Sequence, residues 1–551
     1  MIEIHPLLIE ILEKRGVTKP EDIEEFLSEK PRLTHDPFLL SNMEEGVDFV
    51  LSAVNRGKKI YVYGDYDVDG ITSAALLIQV LRLMTDKAVW YIPSRFDEGY
   101  GLNKEALKNI AVEGGEVVIT VDCGSVSFEE VEYGKSLGLE IMVTDHHSTD
   151  GTVADCILIN PKQAGETYPF DGLAGCGVAF KLAQALQRRA GLPKSILNDV
   201  LDLVGIATVA DIVPLIDENR TITKYGLRAA SNTKRAGLRG LIRKIGLDEH
   251  DISSENVAYG IAPHINAAGR MAEARDVVEL MLTDDADRIE QLTEELSALN
   301  DMRKTVQEEV FRMCCDIVEK DSPDNKFNIV NAGDAHEGIT GIVAGKLREK
   351  YNRPAIVLTE SKSADGRVFL KGTGRSIPGL DLFKMLKNFD GMFEKFGGHA
   401  MACGFLISAE LEGGFREGLL REAERFFAEN PGICAGHAAP DVKAAPSDLT
   451  VDFVKDMKQI GPFGNGNPAP MFALEGVFAD RVYFMGDQCQ HVRFSAEGLQ
   501  CVLFRYADDY KDIITAGEPI TIYGSPSIDN WNGREKVQLI VESVELAASG
   551  N

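Results

Sequence analysis

The sequence lacks the features expected of secreted and membrane proteins. Its nine cysteines are scattered without a CxxC pair, and Cys314 and Cys315 are adjacent, which is too close for an ordinary disulfide. An odd number of cysteines without a regular framework is typical of a reducing compartment. No apolar run reaches the roughly 18 residues of a membrane span. The N-terminal segment does not contain a basic region followed by an apolar run, so no signal peptide is predicted. We therefore expect a cytoplasmic protein with no membrane partner.

Basic residues are also in deficit. The 551 residues include 58 Lys and Arg against 86 Asp and Glu, which gives a formal net charge of −28. Because phosphate backbones attract basic surfaces, this balance argues against a non-specific nucleic-acid binder. It argues only weakly against a metal-dependent nuclease, since buried metal ions and a few arginines in a groove can still hold a polyanion.

What the sequence does contain is an ordinary globular composition, with 44% hydrophobic and 26% charged residues, enough for roughly three or four domains. From residue 57 to residue 161, apolar segments alternate with amphipathic ones. The predicted strands are Ile60–Tyr63, Ala88–Ile92, Val117–Val121, Ile141–Thr144 and Ile157–Ile159. This alternation predicts an α/β fold with a doubly wound parallel sheet, whose sites lie at the carboxyl ends of the strands.

The first predicted strand is followed by a loop rich in acids. Asp65, Asp67 and Asp69 occupy alternate positions before Gly70 and a predicted apolar helix. One aspartate at this place commonly caps the next helix, and one cap is enough. Three carboxylates in a single turn repel one another unless a cation lies between them. The loop is therefore a candidate metal site.

Further polar residues follow other predicted strands and one helix. Those expected to meet at the same sheet edge are Asp67, Asp69, Asp122, His146 and Asp211. Each alone is explained equally well as a cap, a surface charge or a core histidine, but together they predict a centre of two divalent ions. Oxygen ligands with an imidazole favour Mn²⁺, with Mg²⁺ as the alternative, and the absence of thiolate spacing argues against zinc. Asp122, central in sequence, is the predicted bridging ligand and a candidate catalytic residue.

Four short motifs carry a family resemblance. In chain order they are DYDVDG, VDCG, DHH and ADIVPL. Together they resemble the four motifs of the DHH phosphoesterase superfamily, and from about Gly57 to Val544 the chain is similar to its exonucleases specific for single-stranded DNA. The resemblance implies a hydrolase that uses two Mn²⁺ or Mg²⁺ ions and degrades single-stranded DNA in the 5′-to-3′ direction, in DNA repair and recombination.

The resemblance also implies roles for individual residues. Asp67, Asp69, Asp122, His146 and Asp211 match metal ligands of the four motifs, and Asp65 is a further contributor. His147 is expected to stabilise the transition state or donate a proton. Tyr63 stands where some members carry a ligand histidine, so the ligand set of the first metal stays open. The implied partners are single-stranded DNA and, as candidates, a single-stranded-DNA-binding protein and a helicase, with the chain itself a monomer.

The second half of the chain offers candidate phosphate contacts. Gly397-Gly398-His399 resembles the GGH motif of the DHH-associated domain, although a tight turn with a core histidine explains it as well. Paired glycines allow a backbone to approach phosphate closely, and arginine binds phosphate through two nitrogens. The candidate phosphate-binding residues are Arg270, Arg375, Ser376, Gly398, His399 and, more weakly, Arg95.

The last region has short strand-like runs that predict a small barrel. It contains the segment GPFGNGNP at residues 461–468, which resembles the segment leading into an OB fold. OB folds guide single strands through aromatic stacking and a basic groove. The candidate platforms are Phe494, Phe504, Tyr506 and Trp531, with Arg481, Arg493 and Arg505 nearby, although core packing is the expected place of most of these rings.

The resemblance and the composition divide the chain into six segments. They are a helical lead-in (1–45), the DHH catalytic domain (46–275), a long connecting helix (276–322), an α/β DHH-associated domain (323–430), a Gly/Ala/Pro linker (431–446) and an OB-like β-barrel (447–551). Residues 276–320 contain no Pro or Gly, so they predict one helix, or two with a break near Thr283-Asp284-Asp285.

Two rival functions remain open from the sequence. The chain could be a DHH phosphodiesterase acting on short oligoribonucleotides or cyclic dinucleotides, although such an enzyme needs no strand-guiding domain. It could also be a non-catalytic DNA-binding scaffold, but then loss of ligand residues would be expected, and every matched position is occupied. DNA and RNA are not distinguished, because nothing in the sequence reports on a 2′-hydroxyl.

Overall fold

The structure is a computed structural model that describes residues 4–28, 34–94, 101–149, 152–321, 325–362, 366–431, 433, 439–486, 489–504, 507–529 and 534–547. Its α-helices are α1 (Pro6–Lys14), α2 (Pro20–Leu27), α3 (Met43–Asn55), α4 (Val68–Leu81), α5 (Lys104–Val112), α6 (Phe128–Ser136), α7 (Gly175–Ala190), α8 (Ser195–Asp199), α9 (Leu201–Ala210), α10 (Asp217–Ala230), α11 (Ala236–Ile245), α12 (Ser254–Asn256), α13 (Ala262–Met271), α14 (Arg275–Leu282), α15 (Ala286–Asp321), α16 (Glu337–Tyr351), α17 (Leu382–Lys387), α18 (Glu412–Glu429), α19 (Val451–Met457) and α20 (Ala507–Thr515). Its strands are β1 (Ile60–Gly64), β2 (Ala88–Tyr91), β3 (Val117–Val121), β4 (Glu140–Thr144), β5 (Ile157–Ile159), β6 (Asn328–Asn331), β7 (Ala355–Lys362), β8 (Val368–Arg375), β9 (Phe393–His399), β10 (Ala402–Ser408), β11 (Val442–Lys443), β12 (Phe472–Val477), β13 (Ala479–Met485), β14 (His491–Ala496), β15 (Leu499–Leu503), β16 (Ile520–Asp529) and β17 (Lys536–Leu546).

The first sheet is parallel and has the strand order β2-β1-β3-β4-β5. Strands β1 and β3 are buried at every position, as expected when helices cover both faces of a parallel sheet. The chain leaves β1 toward β2 on one side and later returns as β3 on the other. The carboxyl ends of β1 and β3 therefore form the switch point at which doubly wound sheets bind ligands. The predicted fold class is confirmed.

Helix α4 begins directly against the end of β1. A Cβ atom on Gly70 would lie 2.5 Å from the backbone nitrogen of Asp65, so only glycine allows this approach. The side chain of Asp67 caps α4, accepting from the amides of Asp69 (2.9 Å) and Gly70 (3.1 Å). One acid of the loop thus has the capping role expected of a single aspartate, and the other two remain to be explained.

The backbone contacts divide the chain into two compact units. The first consists of residues 1–262, 275–289 and 437–551, and the second of residues 263–274 and 290–436. Of the two alternatives left open for the charged helical stretch, two helices are observed instead of one connecting helix over 276–322, since α14 ends at Leu282 and α15 begins at Ala286. Within the described residues, no helix has both the length and the apolar character needed to cross a bilayer.

The second unit contains a mixed sheet with the order β6-β7-β8-β10-β9. Strands β6 and β7 are parallel and the remaining pairs are antiparallel. Its apolar core includes Phe327, Phe405 and Phe415. The GGH motif closes β9, where Gly398 pairs with Cys403 of β10.

The C-terminal part of the first unit is a sheet of seven strands with the order β11-β12-β16-β17-β15-β14-β13. Its core also contains Leu8, Ile11 and Leu12 of α1 and Ile23 of α2. The helical lead-in therefore packs on strands that lie more than 400 residues away in the chain.

Candidate metal centre

The first sheet brings the predicted ligand residues to one edge. Asp65 follows β1, Asp69 lies in the first turn of α4, and Asp122 follows β3. His146 follows β4, and Asp211 ends α9. Two overlapping groups of side chains, Asp69-His146-Asp211 and Asp122-His146-His147, each place their ligand atoms within 4.8 Å of one another. The positions are adjacent because parallel strands end at the same side of a sheet.

Asp69 is held by the start of another helix. Its Oδ2 accepts from the backbone amide of Gly175 (2.6 Å) and its Oδ1 from that of Cys176 (2.8 Å), the first residues of α7. Burial raises the pKa of Asp69 well above its usual range, and the charges of Asp211 and Asp67 raise it further. The two amides fix the direction of the carboxylate while its neighbours make an ionised state costly without a cation.

Asp122 and His146 bring two hydrogen-bond acceptors into close contact. Nδ1 of His146 donates to the carbonyl of Leu173 (3.0 Å), which leaves the lone pair on Nε2, 3.1 Å from Oδ1 of Asp122. Both atoms are buried and have no hydrogen-bond partner among the described residues. Burial, with the nearby charge of His147, lowers the pKa of His146 to about 3. Since neutral imidazole and ionised carboxylate are both acceptors, the pair is stabilised only when a proton or a cation lies between them.

Asp211 contributes a further carboxylate to the cluster around His146. Its Oδ2 lies 3.6 Å from Nε2 of His146. Burial raises the pKa of Asp211 to about 7, and the charge of Asp67 adds to this effect. Burial also raises the pKa of Asp122 well above its usual range, with further contributions from neighbouring acids that include Asp65. The donors, carboxylate oxygens and one imidazole nitrogen, fit Mn²⁺ or Mg²⁺.

His147 differs from His146 in exposure and charge. Its side chain is 38% exposed, and its Nδ1 lies 2.8 Å from Oδ1 of Asp145. Burial alone would lower the pKa of His147, but the hydrogen bond and charge of Asp145 raise it to about 9. The imidazolium form is therefore favoured at neutral pH, in agreement with a role in charge stabilisation or proton donation.

The structure adds Asp145, which the sequence did not mark as a site residue, to the surroundings of the predicted centre. Burial would raise the pKa of Asp145, but the His147 ring and the backbone amides of His147 and Ser125 all donate hydrogen bonds to its carboxylate. These bonds hold the pKa below its usual range. Asn160 supports the same segment, donating to the His147 carbonyl (2.9 Å) and to Ser125 Oγ (2.8 Å). The position of Asp145 at a strand end was visible in the sequence, but its hydrogen bonds to the neighbouring loop were not.

Two further contributions come from backbone that no motif marked. The Leu173 carbonyl selects the tautomer of His146, and Gly175 approaches Asp122 so closely that a Cβ atom would lie 2.6 Å from its Cβ. The sequence contains glycines at 172, 175 and 177, which was the available indication of a close approach. Tyr63, by contrast, is buried with its hydroxyl donating to the Gly101 carbonyl (2.9 Å).

In the second unit, two candidate phosphate contacts meet at one helix. Arg270 donates to the Gly338 carbonyl (2.9 Å) in the first turn of α16. A Cβ atom on Gly341 would lie 3.0 Å from Nη2 of Arg375. Burial lowers the pKa of the Arg375 guanidinium below its usual value. The structure therefore places both arginines beside the amino-terminal turns of α16, where a helix favours anions.

The remaining candidates differ in accessibility. Ser376 is buried and its hydroxyl donates to the Leu380 carbonyl (2.7 Å). Gly398 has a φ of +142°, and a Cβ there would lie 2.4 Å from the Ala402 carbonyl oxygen, so glycine is required. His399 is exposed at the end of β9. Arg95 lies outside the described residues.

In the C-terminal sheet, the candidate platforms separate into buried and exposed rings. Phe494 is buried in the core, whereas Phe504 is about half exposed. Arg481 is exposed, and Arg493 lies over the exposed ring of Tyr483, 5.8 Å from its centroid. A groove of about 900 Å³ runs past these three side chains. Arg505, Tyr506 and Trp531 lie outside the described residues.

Comparison with protein families matches three parts of the chain. The DHH family, N-terminal domain, matches residues 59–208, the DHHA1 domain residues 324–429, and the RecJ OB domain residues 440–543. The fold and the cluster of acids and histidines at its switch point thus define a DHH phosphoesterase. The particular kind follows from full-length relatives.

The single-stranded-DNA-specific exonuclease RecJ of Bacillus subtilis (strain 168) is 36% identical over 551 residues, which cover 99% of this chain and 69% of that protein. The RecJ of Escherichia coli (strain K12) is 32% identical over 494 residues, 85% of this chain and 83% of that protein. The crystal structure of RecJ from Thermus thermophilus in complex with Mn²⁺ superposes with a TM-score of 0.82 at 27% identity, covering 99% of this chain and 77% of that one. The chain belongs to the RecJ family of single-stranded-DNA-specific exonucleases.

Proposed function

We propose that this chain is a metal-dependent exonuclease that hydrolyses the phosphodiester bonds of single-stranded DNA in the 5′-to-3′ direction, in DNA repair and recombination. The observation that carries the proposal is the pair of buried acceptors, Asp122 Oδ1 and His146 Nε2, that face each other at 3.1 Å among further carboxylates. Such an arrangement is unfavourable without a cation and has a direct use in phosphoester hydrolysis with one.

The metal ligands of this proposal are Asp65, Asp67, Asp69, Asp122, His146 and Asp211. They would hold two divalent ions, with Mn²⁺ preferred and Mg²⁺ as the alternative. A related RecJ structure is a complex with Mn²⁺ and another a complex with Mg²⁺. Bound ions of this kind lower the pKa of water and neutralise charge on phosphate oxygens. Asp122, in the left-handed region at φ +62°, is the proposed bridging ligand.

His147 is the proposed catalytic acid. Asp145 holds Nδ1 of the ring and stabilises the imidazolium, so that Nε2 carries the proton that can be given to a phosphate or leaving oxygen. The exposed part of the ring is the part that substrate can reach. Asp145 acts through His147 and is therefore a positioning residue.

The proposed phosphate contacts of the second unit are Arg270, Arg375, Ser376, Gly398 and His399. Arg270 and Arg375 supply positive charge beside the start of α16, which adds its own backbone amides. Ser376 would act by accepting rather than donating, because its proton is engaged by Leu380. Arg95 stays a prediction from the sequence.

The C-terminal sheet is the proposed guide for the strand. Tyr483, Arg493 and Arg481 combine an exposed ring with positive charge, the combination that binds single strands without regard to sequence. Recruitment by a single-stranded-DNA-binding protein or a helicase, and a monomeric state, remain part of the proposal.

The test uses purified wild type and Asp122→Ala with end-labelled single-stranded DNA, double-stranded DNA and RNA, in Mn²⁺, Mg²⁺ or chelator. We expect nucleotides to be released from the 5′ end of single-stranded DNA by wild type with metal only, and no release by Asp122→Ala whose circular dichroism is unchanged. Faster hydrolysis of a dinucleotide than of a long strand would favour the rival phosphodiesterase. Binding without release would favour the scaffold.

A further inference from the structure

The backbone directly after Asp211 adopts an unfavourable conformation. Ile212 has a φ of +59°, in the left-handed region that β-branched residues rarely adopt, and its side chain is 70% exposed. Its own side chain therefore contributes little packing to hold it there. Since the carboxylate of Asp211 is aimed by the same stretch of backbone, whatever stabilises Ile212 also fixes Asp211.

The stabilising contacts come from the C-terminal domain. The carboxamide nitrogen of Asn465 donates to the Ile212 carbonyl (2.7 Å), and the backbone carbonyl of Asn465 accepts from the amide of Leu215 (2.7 Å). One residue thus binds both ends of the loop that leads from Asp211 to α10. Asn465 lies in the GPFGNGNP segment (461–468). From the sequence alone, this segment had no role beyond leading into the OB fold.

The turn that presents Asn465 fits closely against this loop. Gly464 and Asn467 pair across it through two backbone hydrogen bonds of 2.9 and 3.1 Å. A Cβ atom on Gly464 would lie 2.7 Å from Cδ1 of Leu215, and one on Gly466, at φ +73°, would lie 3.2 Å from Cβ of Pro214. The glycines of the turn therefore permit the approach that brings Asn465 into reach.

The turn is itself anchored at its base. The carboxamide of Asn467 donates to the carbonyls of Ile460 (3.0 Å) and Pro462 (2.8 Å) and accepts from Arg15 (2.7 Å). The buried guanidinium of Arg220, in α10, donates to the same Ile460 carbonyl (2.5 Å). These bonds limit the freedom of the turn, so a contact made at its tip can hold a position.

We propose that Asn465 is a positioning residue of the metal centre: by binding the Ile212 carbonyl it holds Asp211 in place for a divalent ion. The inference rests on the proposed function, since it assumes that Asp211 is a ligand. It gives the C-terminal domain a part in forming the centre, separate from any contact with the strand.

The test measures Mn²⁺ binding by the full-length protein without substrate, from the electron paramagnetic resonance of free Mn²⁺. Asn465→Leu removes the donor at nearly constant shape. Asn465→Asp removes it while adding a negative charge that would otherwise strengthen cation binding. The matched control is Ser525→Ala, which removes a side-chain bond to the Pro470 carbonyl in the same domain and leaves the 212–216 loop untouched.

We expect Mn²⁺ binding to be about three- to tenfold weaker in both Asn465 variants, the effect of losing roughly one hydrogen bond, and unchanged in Ser525→Ala. Nucleotide release should need more Mn²⁺ for half-maximal rate and should recover at saturating Mn²⁺, which a general loss of folding would not produce.

The outcomes separate the inference from the function on which it rests. If wild type binds no Mn²⁺, the proposed function fails. If wild type binds and both Asn465 variants bind equally well, the inference is overturned. If Asn465→Leu loses its cooperative thermal transition, Asn465→Asp, which keeps a polar side chain of the same size at this exposed position, decides the result.

Discussion

The close contact between the acceptor atoms of Asp122 and His146 affects the stability of the metal-free protein, which can be measured without substrate. Burial raises the pKa of Asp122 well above its usual range, so ionising it in the folded, metal-free protein is unfavourable. In chelator at pH 8, we expect Asp122→Asn to raise the melting temperature by a few degrees, because the amide is nearly isosteric and uncharged. Scanning calorimetry measures the change. The control is Asp86→Asn, an exposed acid, which should leave it unaltered; a lower melting temperature for Asp122→Asn would contradict the account.

The pair Asp145 and His147 predicts a change in pH dependence. Burial alone would lower the pKa of His147, and the hydrogen bond that its Nδ1 donates to Asp145 is the main reason that this pKa lies near 9. Asp145→Asn should lower this pKa, so the alkaline limb of the rate profile at saturating Mn²⁺ should move by at least about one unit toward lower pH.

Ser125→Ala is the matched control for Asp145→Asn. It removes a hydroxyl from the same segment and keeps the backbone amide that Asp145 accepts from. Its alkaline limb should stay where it is in wild type. An unmoved limb in Asp145→Asn would show that His147 is not the acid.

The residues that the sequence predicted and those it did not differ in a physical way. Asp65, Asp122 and His146 follow apolar strands, and the geometry of a parallel sheet brings such positions together. The amides of Gly175 and Cys176 and the carbonyl of Leu173 are backbone groups, available at every residue, so no residue type marks them. Their contacts join residues that lie between 27 and 107 positions apart in the chain, which local patterns do not contain.

At the scale of elements, α7 is the part that makes the centre compact. Its first two amides hold Asp69, and the absence of a side chain at Gly175 admits Asp122. A Cβ at this position would lie 2.6 Å from the Cβ and 2.7 Å from Oδ1 of Asp122, so something must shift.

Gly175→Ala is therefore expected to weaken Mn²⁺ binding by at least about tenfold, since Asp122, the proposed ligand, would have to move to admit the new Cβ. Isothermal titration measures the effect. Gly177→Ala changes the same helix in the same way, but its Cβ would meet only the flexible side chain of Leu173, at 3.2 Å, and should bind Mn²⁺ nearly as wild type does. Equal affinities for the two variants would contradict the role given to Gly175.

The elements themselves were largely predictable. The five strands of the first sheet were expected within a residue or so of their observed limits, because each is a short apolar run between polar turns. For the charged stretch at 276–320, the sequence did not distinguish one helix from two. Two helices are observed, with the break at Thr283 to Asp285. Propensity alone did not decide, since those three residues are weak helix formers that a long helix can still include.

At the scale of the whole molecule, the main feature that the sequence did not show is the packing of its beginning on its end. Leu8 and Ile11 of the lead-in share an apolar core with Phe453 and Phe472. Nη2 of Arg15 lies 3.4 Å from Oδ1 of Asp441. Amphipathic helices predict that a face will be covered but not by what. For the same reason the sequence could not place the GPFGNGNP segment against the loop after Asp211.

The centre also links the stability of the molecule to pH and metal. The pKa of Asp211 rises from 3.8 to about 7 on folding, and those of Asp69 and Asp122 rise as well. The metal-free folded protein therefore holds protons that the unfolded chain releases near pH 4, so its free energy of unfolding falls as pH rises from about 4 to about 7.

Mn²⁺ must displace these protons, so its apparent affinity should increase over the same pH range. At one fixed Mn²⁺ concentration, the rise in melting temperature over the chelated protein should be larger at pH 8 than at pH 6. Asp211→Asn should reduce this difference, because it removes the acid that titrates within the interval, while Asp86→Asn should preserve it. Equal rises at the two pH values in wild type would mean that the acids are already ionised without metal, and that their burial is not what prepares the site for a cation.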